Sequence, residues 1–345
     1  MKSLQSIPCA VLLCLYFTCT AMAQEIAHDI RPGPGVTAIK RLSDYLPSLA
    51  KTPGDTPVYI LDGDRKGGTV LVAGGTHGNE IAGMMAATLL VERARVSRGR
   101  LIVIPHMNNS AVSYGDPKRQ AQSSITLETP SGRREFKCGS RLTRSEHQGE
   151  ADPPKYRHPQ SREELDGSEA RNLDRAYPGK AEGNLTERIA YAVVELLKKE
   201  TVNIAFDLHE SGPDSRLAWM VVANPKNIGV AAAAILSLDE AGIPMKLESS
   251  SESFRGLSHR EWGDATKAQA FLVETPNPGM VENGQAADLV NDSRFPLAKR
   301  VGVHLSTLLA ILDAYNEGSS ADAVKLRDVP GLPQLLESGV GKFLK

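Results

Sequence analysis

Four polar clusters carry residue types that could do chemistry. The first is His77 with Glu80, three residues apart in the glycine-rich stretch GGTHGNE (Gly74–Glu80). The second is His209 with Glu210, the third Glu274 with Thr275 and Pro276, and the fourth Asn172-Leu173-Asp174-Arg175. Two histidines and one carboxylate form a common catalytic zinc set, because zinc takes N and O ligands at about 2.0–2.2 Å and leaves a fourth position for water. His77, Glu80 and His209 fit that set for one Zn2+ ion. His77 and Glu80 share a turn while His209 comes from a distant segment, so the pattern differs from HExxH, where both histidines share one helix face. Zinc lowers the pKa of its water from about 15.7 toward about 7, which yields a nucleophile at neutral pH. A second carboxylate near that water can act as base and then hand its proton to the leaving group, and Glu274 is the candidate. GGTHGNE alone reads equally as a turn with a chance His and Glu; several such clusters together point to a metal.

In open α/β sheets, sites form on the loops that follow the carboxyl ends of strands, and three of these clusters sit there. Short apolar runs predict strands over Val58–Leu61, Thr69–Ala73, Leu101–Ile104, Val202–Leu208, Ala218–Ala223 and Ala270–Val273. Helical spacing predicts helices over Ile81–Arg95, Asn184–Glu200, Ile228–Glu240 and Leu297–Tyr315. Continuous apolar strands alternating with helices predict a three-layer α/β/α fold with a mixed, mostly parallel central sheet. A polar segment of residues 108–178 lacks a long apolar period and reads as an insertion over one end of the sheet, with disorder the alternative for its middle, residues 120–159. Asp207 is placed to orient a ligand histidine or to cap a turn. Glu210 reads as a supporting or surface group rather than a ligand. His106, His147, His158, His259 and His304 lack a comparable setting, and Trp219 and Trp262 read as packing.

The chain has 345 residues. Residues 1–23 read as a signal peptide: Lys2, an apolar run over Ile7–Thr18, then Ala21-Met22-Ala23 as a small-x-small cleavage site. That run is short against the roughly 20 residues of a membrane span. An exported chain beginning near Gln24 keeps only Cys138, so neither an internal disulfide nor a cysteine-rich metal site can form. Residues 24–345 are expected to form one zinc hydrolase domain, with its core at about residues 55–317. The formal charge of −1, without a long run of one sign, argues against nucleic acid or an anionic membrane surface as partner and favours a small-molecule or peptide substrate.

HGNE, DLHES, NLDRAYPG and VETPNPG together resemble the succinylglutamate desuccinylase/aspartoacylase family, within the zinc carboxypeptidase superfamily. The resemblance covers most of residues 55–317 and implies a zinc carboxypeptidase-like fold. It implies His77, Glu80 and His209 as zinc ligands, Glu274 as general acid/base, and Arg175, with Asp174 and Asn172, at a substrate carboxylate. It also implies an arginine that polarises the scissile carbonyl. Arg119, Arg141, Arg162 and Arg171 are available, and Arg171 is preferred for its closeness to Arg175. Such enzymes hydrolyse amide bonds in N-acyl amino acids or at C-terminal peptide bonds; a peptide substrate, cell-wall peptides included, cleaved as by a carboxypeptidase, is the alternative within enzymes. A binding protein that no longer catalyses is the alternative outside enzymes. The chain departs from the family in two ways: Asp174 stands where Asn is usual, and the chain ends too soon for the family's C-terminal β-rich domain, which moves the expectation toward the carboxypeptidase plan.

Overall fold

The apolar runs do form strands. The structure, a computed structural model, describes residues 29–115, 123–158, 160–280 and 287–345. The signal-peptide segment and Arg119 lie outside the described residues. The central sheet has eight strands: β1 (Ala38–Arg41), β2 (Pro57–Asp62), β3 (Thr69–Gly74), β4 (Arg100–Ile104), β5 (Ile204–Ser211), β6 (Met220–Ala223), β7 (Lys246–Ser249) and β8 (Gln269–Pro276), in the order β1-β2-β4-β3-β5-β8-β6-β7. The pairings β3–β4, β3–β5, β5–β8 and β6–β7 are parallel. The pairings β1–β2, β2–β4 and β6–β8 are antiparallel. The sheet is thus mixed and mostly parallel, with its parallel part at the centre.

Side chains alternate along each strand, so each strand feeds both faces. Val70, Val72, Ile204, Phe206 and Leu208 pack into one core with helices α1 (Ile81–Arg93), α3 (Ile228–Glu240) and α5 (Leu297–Gly318). Leu71, Ala73 and Ala205 pack into a second core with α2 (Leu185–Lys199) and with Trp262 of α4 (Ser258–Ala265). Helices thus cover both faces, giving the three-layer α/β/α arrangement expected. Helix α2 starts in a capping box, in which the Asn184 side chain accepts from the Glu187 N–H and the Glu187 carboxylate accepts from the Asn184 N–H.

The polar segment 108–178 is better structured than its composition suggests. Among its described residues, Ser124–Thr129 pairs with Gly132–Lys137, and Lys155–Arg157 pairs with Glu164–Asp166. Ile125, Leu127 and Phe136 are buried in the core on the α1 side, which anchors the first hairpin. Disorder through the middle of this segment is therefore not what the described residues show. Among the described residues, no helix is long and apolar enough to cross a membrane.

Candidate metal centre and active site

Strands β3, β5 and β8 lie side by side, and their carboxyl ends carry the predicted residues. Backbone register places His209 opposite Glu274 and Leu208 opposite Gly74. The turn after β3 then brings His77 and Glu80 over the end of β5. Its glycines explain the shape of GGTHGNE. Gly75 has φ +70°, in the left-handed region that glycine enters without a Cβ penalty. A Cβ on Gly78 would lie 2.6 Å from the Ala111 carbonyl carbon, so only glycine lets the His77 turn close onto that backbone.

One donor atom from each of His77, Glu80 and His209 lies within 4.8 Å of the others, and all three residues are buried. His77 Nδ1 is 2.6 Å from Glu80 Oε1, and His209 Nδ1 is 3.0 Å from Glu80 Oε2. The opposite ring nitrogens face other partners. His77 Nε2 lies 2.9 Å from Asn172 Oδ1. The Asn172 amide orientation is fixed by its Nδ2, which donates to Glu169 Oε2, and by the Asp174 N–H, which donates to its Oδ1. Nε2 of His77 must therefore carry the hydrogen, which leaves the Nδ1 lone pair aimed at a carboxylate oxygen. Two lone pairs at that separation need a proton or a cation between them. Burial, then the positive Arg141, holds the His77 pKa below its usual value, so a proton is poorly retained there. The donor set fits a divalent ion of the zinc type.

His209 is held differently. Burial would depress its pKa, but the carboxylates of Asp207 and Glu80 overcome that and keep it well above the usual value. Its Nε2 lies 2.9 Å from Asp207 Oδ2, off the alignment of a good hydrogen bond, while Thr76 donates to Asp207 Oδ1 at 2.8 Å. Asp207 thus stands behind a ligand candidate in the orienting position. Glu80 lies far below the usual carboxylate range: burial opposes this, and the charges and hydrogen bonds of His77 and His209 outweigh it. Glu274 moves the other way. Burial pushes its pKa up to about 8, only partly offset by His209, and its Oε2 has no hydrogen-bond partner.

The remaining candidates separate. Arg141, from the polar segment, has Nη1 3.3 Å from His77 Nδ1 and 3.8 Å from Glu80 Oε1, with its side chain 34% exposed. Arg171 instead pairs with Asp152 at 2.7 Å and donates to the Thr143 carbonyl. Arg162 is exposed, with φ 59°. Asn172 is fully buried against His77. Asp174 is also buried; its Oδ1 accepts the Ser258 N–H at the start of α4, and it lies within 4.8 Å of Asp207 and His209. Arg175 is 25% exposed, with Nη1 donating to the Asp174 carbonyl. Glu210 is buried and ion-paired with Arg300. Sequence proximity favours Arg171, whereas Arg141 reaches the cluster because the Gly139 N–H donates to the Gly78 carbonyl and the Gly78 N–H donates to the Ser140 carbonyl, which docks its loop on the His77 turn. A cavity of about 450 Å³, lined in part by Glu92, Arg93, Asp328 and Lys345, includes none of these residues.

No family model and no curated protein matches the sequence. Solved structures similar to the chain include a succinylglutamate desuccinylase from Silicibacter (18% identity, 74% of this chain and 60% of that chain, TM-score 0.45). They also include an aspartoacylase family protein from Mesorhizobium loti (20%, 74% and 61%, TM-score 0.42). A third is a metallo-carboxypeptidase from Burkholderia cenocepacia (13%, 86% and 67%, TM-score 0.49). The chain spans about three-fifths of the length of the first two.

Proposed function

We propose that the protein is an exported zinc-dependent amidohydrolase, a deacylase of N-acyl amino acids or related amides. The observation that carries this reading is the convergence of His77 Nδ1, Glu80 and His209 Nδ1, with Glu274 buried at the neighbouring strand position and Arg141 beside the cluster. His77, Glu80 and His209 would hold the ion, which when bound supplies Lewis-acid polarisation of the carbonyl and a water nucleophile at neutral pH. Asn172 and Asp207 orient the two imidazoles.

Glu274 then moves the proton. Its carboxylate accepts a proton from the attacking water as the oxygen bonds to the amide carbon. It delivers that proton to the nitrogen as the C–N bond breaks, leaving a carboxylic acid and a free amine. Burial of Glu274 raises its affinity for that proton, which strengthens it as the base in the first step. The Arg141 guanidinium faces the cluster and stabilises the negative oxygen of the tetrahedral stage. Arg175, partly exposed beside the site, is the candidate for a substrate carboxylate, with Asp174 tied to the start of α4 behind it.

The test is metal analysis of the purified protein, followed by hydrolysis of a panel of N-acyl amino acids and short peptides with and without chelator. One equivalent of zinc and chelator-sensitive release of the free amino acid are expected. Cleavage confined to peptides would move the protein to the carboxypeptidase side. Zinc-loaded protein inert on both sets would remove the catalytic reading.

A further inference from the structure

Glu210 follows a ligand candidate directly, yet its side chain points to the opposite face of the sheet, toward α1 and α5. There it is completely enclosed, and so is its partner Arg300 on α5, with Arg300 Nη1 2.5 Å from Glu210 Oε1. A bare salt bridge in such a place gains little, because stripping water from both charges offsets their attraction. The other bonds of this pair are more informative.

Glu80 is the N-cap residue of α1, but its side chain makes no capping bond; it is turned toward the two histidines. The missing acceptor at the helix start is supplied from another strand: Glu210 Oε2 accepts the Ala82 N–H at 2.9 Å. The same oxygen accepts from Asn277 Nδ2, which also donates to the Asn79 carbonyl, one residue before Glu80. Asn277 follows Glu274 by three residues. The Glu210 backbone N–H in turn donates to Glu80 Oε2 at 3.0 Å. One residue therefore touches the Glu80 carboxylate, the helix start behind it and the loop after Glu274. Arg300 extends the bracket, donating from Nε to the Phe295 carbonyl and from Nη2 to the Leu289 carbonyl.

Resting on the zinc-site reading above, we propose that Glu210, held by Arg300, is the positioning residue of the metal grip. By standing in as the cap of α1 it frees the Glu80 carboxylate to face His77 and His209, and it fixes the spacing between the Glu80 turn and the Glu274 strand. Its distinctive consequence lies in metal affinity and coordination geometry, not only in stability.

The experiment compares full-length wild type with Glu210→Leu/Arg300→Met, which removes both charges together and leaves no lone buried ion. Circular dichroism reports folding, competition with a chromophoric chelator reports zinc affinity, and the visible spectrum of the cobalt-substituted protein reports coordination geometry. The expected result is a folded variant with zinc affinity lower by about 10–100-fold and a shifted cobalt spectrum. A folded variant with wild-type affinity and spectrum overturns the proposal. If the double variant does not fold, Glu210→Gln decides. It keeps an oxygen for Ala82 but lacks the charge that Arg300 holds, so about 10-fold weaker zinc binding supports the proposal and unchanged binding overturns it. Wild type that takes up no zinc or cobalt at all overturns the metal reading and this inference with it; zinc bound equally by all forms overturns this inference alone.

Discussion

Two buried ionic clusters flank helix α1, and they are built on opposite logics. At its far end, Arg134 is almost fully buried and spends every N–H on a partner. Nε bonds Asp29 Oδ2, Nη1 bonds Glu92 Oε2 and the Lys345 carbonyl, and Nη2 bonds Glu92 Oε1 and the Asp29 carbonyl. Donors and acceptors match, and neither Arg134 nor Glu92 has an orphaned atom. At the near end, His77, Glu80, His209, Asp207 and Glu274 gather acceptors in excess. Asp207 Oδ2, His209 Nε2, Glu274 Oε2 and Asn79 Oδ1 are all buried without an aligned partner. A satisfied cluster is a clamp. An unsatisfied one, with lone pairs converging, is a place prepared for something that is added.

The contrast can be broken most sharply at His77. His77→Ala is expected to lose stoichiometric zinc and to fall to background hydrolysis, read by metal analysis and turnover; retained zinc at one equivalent would strike His77 from the ligand set. Glu274→Gln is expected to keep zinc while turnover drops by about 10²–10⁴, and full activity would remove its proton-transfer role. Arg141→Ala should lower kcat by about 10²–10³, whereas Arg171→Ala, which loses mainly its bonds to Asp152 and Thr143, should leave kcat near wild type. The reverse result would exchange their roles. In the clamp, Arg134→Met should cost about 3–5 kcal/mol, because Glu92 is left buried and uncompensated, with zinc content and kcat of the folded protein unchanged. Zinc loss in that variant would show that the two clusters are not separable.

The smallest effect concerns pH. Burial holds His304 at a pKa of about 3 and His259 at about 4, both below the usual 6.5. Between those values the unfolded chain binds protons that the folded chain does not, so stability falls as pH drops from about 6.5 toward 4. His304→Gln should flatten that slope in thermal unfolding measured across this range. An unchanged slope would mean that His304 titrates normally.

Legibility in the sequence followed the strength of local signals. Thr69–Ala73 and Ala270–Val273 are unbroken apolar runs, as strands buried on both faces must be, and both were placed within a few residues of β3 and β8. Polar residues directly after such runs mark the candidate site, because nothing in packing demands a His or Glu there. Helix α4 has no such signal: SHREWGDA contains one large apolar residue, Trp262, and its folding depends on burying that ring against Tyr177. The hairpin around Ile125, Leu127 and Phe136 shows a period-two pattern too short to stand out from its polar surroundings. Arg141 is a candidate alongside Arg119, Arg162 and Arg171 in the polar segment, and no local signal singles it out. What brings it to His77 is the docking of Gly139 on Gly78, a tertiary contact that no local pattern encodes. Asp174 was expected beside a substrate group, and its bond to the Ser258 N–H could be seen only once α4 was known to exist.

Strand β5 offers His209 to one helical layer and Glu210 to the other. A metal ion held as proposed would need both layers seated on the sheet at once, and no local piece of the chain can form that grip. On the reading proposed above, metal uptake would follow the seating of both layers, and zinc content in a purified sample would measure how much of the chain has finished assembling, on a scale separate from secondary structure.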